Sequence, residues 1–129
     1  MKKIIATSIF GAACIASAPA NANLEDALAN ICEIVATDDK GELRKKMKNV
    51  QSNYNIRLKD YYSGITCSGN SLIKLAILNN SVEAGTLLVK KMPKKLLAEP
   101  EHDGSALTAW INEKGLQDAP LVKVLQERL

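Results

Sequence analysis

The chain has 129 residues, with 17 Lys plus Arg against 14 Asp plus Glu and a single His. Its formal charge is +3, 47% of its residues are apolar and 24% are charged. That length supports one small domain around one core, and the composition is that of a globular chain. A two-domain enzyme, a multi-span membrane protein and a disordered chain are therefore excluded.

Met1-Lys2-Lys3 is a basic start, Ile4 to Ala18 carries no charge, and Ala20-Asn21-Ala22 offers small residues around a cleavage point. Together these predict a signal peptide over residues 1–22, cut after Ala22. The alternatives are an uncleaved anchor helix and a lipoprotein attached at Cys14. The apolar run is short for a span, which needs about 20 residues, and Gly11 stands where a lipoprotein signal has a bulky aliphatic residue. Removing 22 residues that include Lys2 and Lys3 leaves 107 residues with a charge of +1. Such a balance argues against a nucleic-acid partner, and no later apolar stretch suits stable membrane insertion. The expected location is the bacterial periplasm, with secretion as the alternative, and residues 23–129 form the single expected domain.

Cys32 and Cys67 remain after cleavage. In an oxidising compartment two cysteines predict one intramolecular disulfide; two buried free thiols are the alternative. With His102 distant in sequence and no C-x-x-C, neither a zinc site nor a redox motif is expected. No metal and no cofactor are expected.

Helical periodicity dominates the rest of the chain. Leu24, Ala27, Leu28, Ile31, Ile34 and Val35 predict a first helix capped by Asn23. Leu43, Met47 and Val50 predict a second, basic helix, followed by a polar loop over 51–55 and a single turn over 58–62. Ser71 caps a helix through Leu78, Asn79-Asn80-Ser81 breaks it, and another runs from Val82 to Met92, where Pro93 stops it. Lys94 to Ala98 adds a turn. Ser105 is the expected cap of a helix over 106–114 closed by Gly115, and Asp118 the expected cap of a last helix with Pro120 in its first turn.

The units beginning at Ser71 and Ser105 lie 34 residues apart, and residues 24–50 form a degenerate third. A helical hairpin repeated at that period matches ankyrin-type arrays. Ser71-Leu72-Ile73-Lys74-Leu75-Ala76 resembles the T-P-L-H-x-A start of an ankyrin unit. The expected fold is all-α: stacked, ankyrin-like helical hairpins, about six helices and one disulfide, with an irregular all-α bundle as the alternative.

A second resemblance rests on Ile31-Cys32, Asp38-Asp39, Leu43-Arg44, Tyr61 or Tyr62, Cys67-Ser68-Gly69, Ser71-Leu72, Ala76, Asn79-Asn80, Glu83-Ala84-Gly85 and Lys91-Met92-Pro93. Over about residues 30–95 the chain resembles a small family of exported Gram-negative proteins known as a domain of unknown function. The resemblance implies export and a two-cysteine framework, and no activity.

Chemical motifs are weak. Gly64 to Ser71 departs from the phosphate-binding loop G-x-x-x-x-G-K-[ST] because Asn70 replaces the lysine. His102, Asp103 and Ser105 are too close in sequence to aim at one another as a triad, and Glu99, Glu101 and Asp103 lack the ligand count of a calcium loop. No catalytic residue is expected. Between Lys40 and Lys59, however, seven cations face one acid, Glu42. Lys90, Lys91, Lys94 and Lys95 form a second basic cluster. Lys45, Lys46, Lys48, Tyr61 and Tyr62 are the candidate interaction surface, since aromatics beside charge suit protein interfaces. The expectation is a non-enzymatic binding or accessory protein with a protein partner, acidic where it meets this run. The alternatives are a structural or stress-related envelope component and a small envelope enzyme.

Overall fold

The computed structural model describes residues 20–129. Most of the expected signal peptide therefore lies outside the described residues. The described chain is helical, in the order α1 (Ala20–Ala36), α2 (Lys40–Tyr54), α3 (Leu58–Tyr61), α4 (Leu72–Leu78), α5 (Val82–Lys91), α6 (Lys94–Ala98), α7 (Leu107–Lys114) and α8 (Pro120–Arg128). A 3-10 turn over Tyr62–Gly64 continues α3. Eight α-helices replace the expected six or so, because the two linkers each coil into a single turn, α3 and α6. There is no strand among the described residues; the Cys67–Asn70 bridge is an isolated tight turn.

The remaining six helices follow one another in three pairs, and the first helix of each pair ends on one turn geometry. Asp38, Asn80 and Gly115 adopt left-handed backbone at φ 59°, 55° and 70°. In each case the next amide reaches back five residues: Asp39 N to Ile34 O at 3.2 Å, Ser81 N to Ala76 O at 2.8 Å and Leu116 N to Ile111 O at 3.0 Å. These bonds satisfy carbonyls that a helix end leaves orphaned. The first hairpin packs on the second, α1 against α4 and α2 against α5. Asp38 fastens them by accepting from Ala84 N at 2.7 Å in the first turn of α5. The third hairpin departs from that order: α8 lies on α5 and α4, while α7 lies on α6.

Several local expectations are corrected. Helix α2 runs through the predicted loop to Tyr54, its apolar stripe of Leu43, Met47 and Val50 being buried. Ser71 does cap α4, accepting from Lys74 N at 3.3 Å, but Ser105 does not cap α7. The cap there is Ala106, because Ser105 is drawn to Asp103 Oδ1, 3.0 Å from both its amide and its hydroxyl. Ala119, not Asp118, precedes α8, and α1 runs through Asn23 instead of starting after it.

The seam between α5 and α8 depends on Gly85. A Cβ there would stand 2.2 Å from Leu121 Cδ2 and 3.1 Å from Ala76 Cβ, inside a wall that is itself buried. Arg128 closes the same seam by donating to the Val89 and Met92 carbonyls at the end of α5. Gly85→Ala is expected to lower stability by about 1–3 kcal/mol through overpacking. Urea unfolding of the variant checks this, and an unchanged midpoint would show that Leu121 yields freely.

Candidate functional site

Two features stand out among the side chains, a buried polar cluster and a cationic groove. The cluster gathers on Lys74. Helix α4 turns this lysine inward, where its side chain is 2% exposed, and its ammonium sits 5.3 Å from the Trp110 ring centre, within cation–π range. Lys74 Nζ lies 2.7 Å from Asp103 Oδ2 and 3.5 Å from Glu101 Oε1. Both carboxylates come from the loop between α6 and α7. That loop folds on itself through Glu101 N to Ser105 O at 3.0 Å and Gly104 N to Glu101 O at 2.8 Å.

Glu101 is the more enclosed carboxylate, with a side chain 5% exposed. Tyr62 donates to its Oε2 at 2.6 Å, and Ser71 donates to its Oε1 at 2.9 Å. Each hydroxyl has one hydrogen, and the charged acceptor takes it over the 3.1 Å contact between the two hydroxyls. Burial, reinforced by the adjacent Glu101 charge, pushes the Tyr62 phenol far above its ordinary value. It therefore remains a donor. The hydrogen bond from Lys74, with help from Ser105, holds Asp103 well below the usual carboxylate range.

Beside this cluster opens a pocket of about 180 Å³, where Tyr62, Ser71 and Glu101 meet Met92, Leu96 and His102. A larger groove of about 650 Å³ runs along α2. Arg44 and Lys48 of α2, Arg57 and Lys59 around α3 and Lys91 at the end of α5 line it, over a floor that includes Met47 and Leu58. No carboxylate lines the groove, and among the described residues none forms an ion pair with any of the five cations. Arg44, Met47, Lys48 and Gln51 recur at i, i+3, i+4 and i+7, so one face of α2 supplies half the wall. Helix α3 buries Leu58 and so leaves Arg57 and Lys59 at the rim.

The structure divides the residues expected from sequence. The Cys32–Cys67 disulfide is present, with Cα atoms 5.7 Å apart. Lys48 lines the groove. Lys45 is 70% exposed and pairs with Glu42 across one turn at 3.4 Å, and Lys46 is half-buried; neither lines the groove. Tyr61 and Tyr62 are a correction: at 6% and 7% exposure they belong to the core. With few aromatics in the chain, the core takes both rings. Tyr61 Oη is buried without a partner, and burial pushes its phenol up to about 12. His102, Asp103 and Ser105 form no triad, since Ser105 and Lys74 take the Asp103 carboxylate.

Sequence reading missed the union of the two basic clusters. The α2 half was accessible from the spacing of Arg44 and Lys48. Lys91 was not, because only packing of α2 on α5 brings it there. Lys74 gave no signal either, as its partners lie 27 and 29 positions away.

The model of a family described as protein of unknown function (DUF3718) matches residues 31–99. No curated protein matches the chain, and no solved structure does. No group of three or more His, Cys, Asp or Glu suited to a metal ion occurs among the described residues, and none of their helices is long and apolar enough to cross a membrane.

Proposed function

The chain belongs to the DUF3718 family of proteins of unknown function, and from its own residues we propose that it is an exported, non-enzymatic binding protein whose groove receives an acidic protein. The observation that carries this reading is the convergence of five cations on one groove without a lining carboxylate. The matched segment contains all five, together with both cysteines. A field of that density on a nearly neutral chain accelerates encounter with an acidic surface and fades with salt. The Cys32–Cys67 bond supports export to an oxidising compartment, here the periplasm. The hairpins are taken as degenerate ankyrin-like units, a repeat class whose stacked surfaces serve binding. By contrast, Glu101 and Asp103, which flank His102 in sequence, are engaged with Lys74, Tyr62, Ser71 and Ser105, which favours binding over acid–base chemistry.

Crosslinking in the native envelope tests the reading. The wild-type chain is expected to yield adducts with acidic proteins, and Arg44→Glu/Lys48→Glu/Lys91→Glu to lose them while keeping its helicity and melting temperature. Lys45→Glu, outside the groove, should retain them. Adducts that survive both the triple reversal and raised salt would overturn the proposal.

A further inference from the structure

The cationic groove and the smaller pocket are neighbours along one seam. Lys59 lines both. Lys91 lines the groove and the next residue, Met92, lines the pocket; Leu58 lines the groove and Tyr62, one turn on, lines the pocket. Charge separates across this boundary. On the groove side are Arg44, Lys48, Arg57 and Lys91. On the pocket side are the carboxylates of Glu99 and Glu101, with Lys59 between. Behind the pocket, the buried Lys74 and Glu101 and the exposed Asp103 together carry one more negative charge than positive, so Lys74 does not cancel it.

We propose that the two cavities together hold a charge-segregated peptide segment of the partner, its carboxylates in the groove and one lysine ammonium in the pocket. This rests on the acidic-protein reading and adds the identity of the recognised segment. A carboxylate offers about four acceptor positions. Glu101 accepts one hydrogen bond at Oε1, from Ser71, and one at Oε2, from Tyr62, while Lys74 makes an ion contact with Oε1 at 3.5 Å. At least one acceptor position remains on a side chain that lines the pocket. The Tyr62 and Ser71 hydroxyls fix that carboxylate in place, so an incoming ammonium orders nothing further. Met92, Leu96 and Pro100 supply an apolar wall for the lysine stem, which packs its methylenes on such surfaces. The pocket, at about 180 Å³, suits one side chain, whereas the groove, at about 650 Å³, suits several. A zwitterionic lipid headgroup offers one phosphate to five cations and leaves most of them without a partner, which favours a peptide.

Fluorescence anisotropy on the disulfide-bonded protein tests the proposal with three labelled peptides. The first carries four glutamates around a leucine and ends in glycine and lysine. The second is identical except for an Nε-acetylated lysine. The third keeps the lysine and replaces each glutamate by glutamine. The first is expected to bind about tenfold more tightly than the second, as one added charge-assisted contact implies, and the third not to bind. Glu99→Gln, at an exposed position, should narrow the gap between the first two and leave the second unchanged. Equal binding of the first two would defeat the inference while leaving the acidic-protein reading intact. Binding of neither would defeat both. Displacement of the first peptide by vesicles of phosphatidylethanolamine and phosphatidylglycerol, at lipid concentrations below that of competing peptide, would replace the peptide with a membrane surface.

Discussion

Lys74→Ala is expected to lower stability by about 3–5 kcal/mol, the usual loss when one member of a buried ion pair is removed. Small domains have a total of about 5–15 kcal/mol, so the variant should be close to unfolding at room temperature. The cost arises mainly from what is left behind. Glu101 would be left in an enclosed site with only the Tyr62 and Ser71 hydroxyls as partners, and Trp110 would lose the ammonium near its ring. A double change, Lys74→Met with Glu101→Gln, should recover much of the loss, because it removes both charges and keeps the volume. Urea unfolding followed by circular dichroism measures both variants. A loss below about 1 kcal/mol in Lys74→Ala would mean that water already compensates the pair.

Asp103, at the exposed edge of this cluster, adds to the acid response. Asp103 titrates lower in the folded chain than in the unfolded one, so the folded form resists protonation. Its contribution is fully present above the ordinary carboxylate value of about 3.9 and is lost as the pH falls from there toward its depressed folded value. Since the lysine hydrogen bond is the largest cause of that depression, Lys74→Ala should flatten the stability profile below about pH 4.

Reduction of the Cys32–Cys67 bond is the second large effect. The bridge spans 35 positions, and closing a loop of that length removes unfolded-state entropy equivalent to about 3–4 kcal/mol. It ties α1 to the tight turn before α4, where Ser68 and Gly69 adopt φ 54° and 85°. Cys67 is buried while Cys32 is half-buried beside a cleft lined by Leu28, Ala29, Ile65 and Thr66, which gives a reductant a route to the sulfur. Unfolding curves with and without dithiothreitol, and the Cys32→Ala/Cys67→Ala variant, should shift together. Equal midpoints in all three samples would show that packing of α1 on α4 already holds this end of the chain.

Local rules made much of the fold legible. Apolar spacing identified the buried stripes of α1 and α2, Ser71 announced a helix start, and Pro93 a stop. These depend on neighbours within one or two turns, which a sequence displays directly. Two cysteines in a chain with a signal-like start were enough to name the bridge. Errors fell where a distant group competed for a local one. Ser105 failed as a cap because Asp103 is held in position by Lys74, and Tyr61 and Tyr62 went inward because the core needed their area.

The sequence by itself determined an all-α chain of hairpins with one disulfide and a surplus of cations between positions 40 and 59. Only the tertiary structure decided which cations act together. It set Lys91 of α5 opposite Arg44 and Lys48 of α2 and enclosed Lys74 with Glu101 and Asp103. The physical reason is range. Backbone hydrogen bonds and amphipathic spacing act over about four residues, whereas a groove or a buried ion pair is made by side chains that meet only after hairpins have packed.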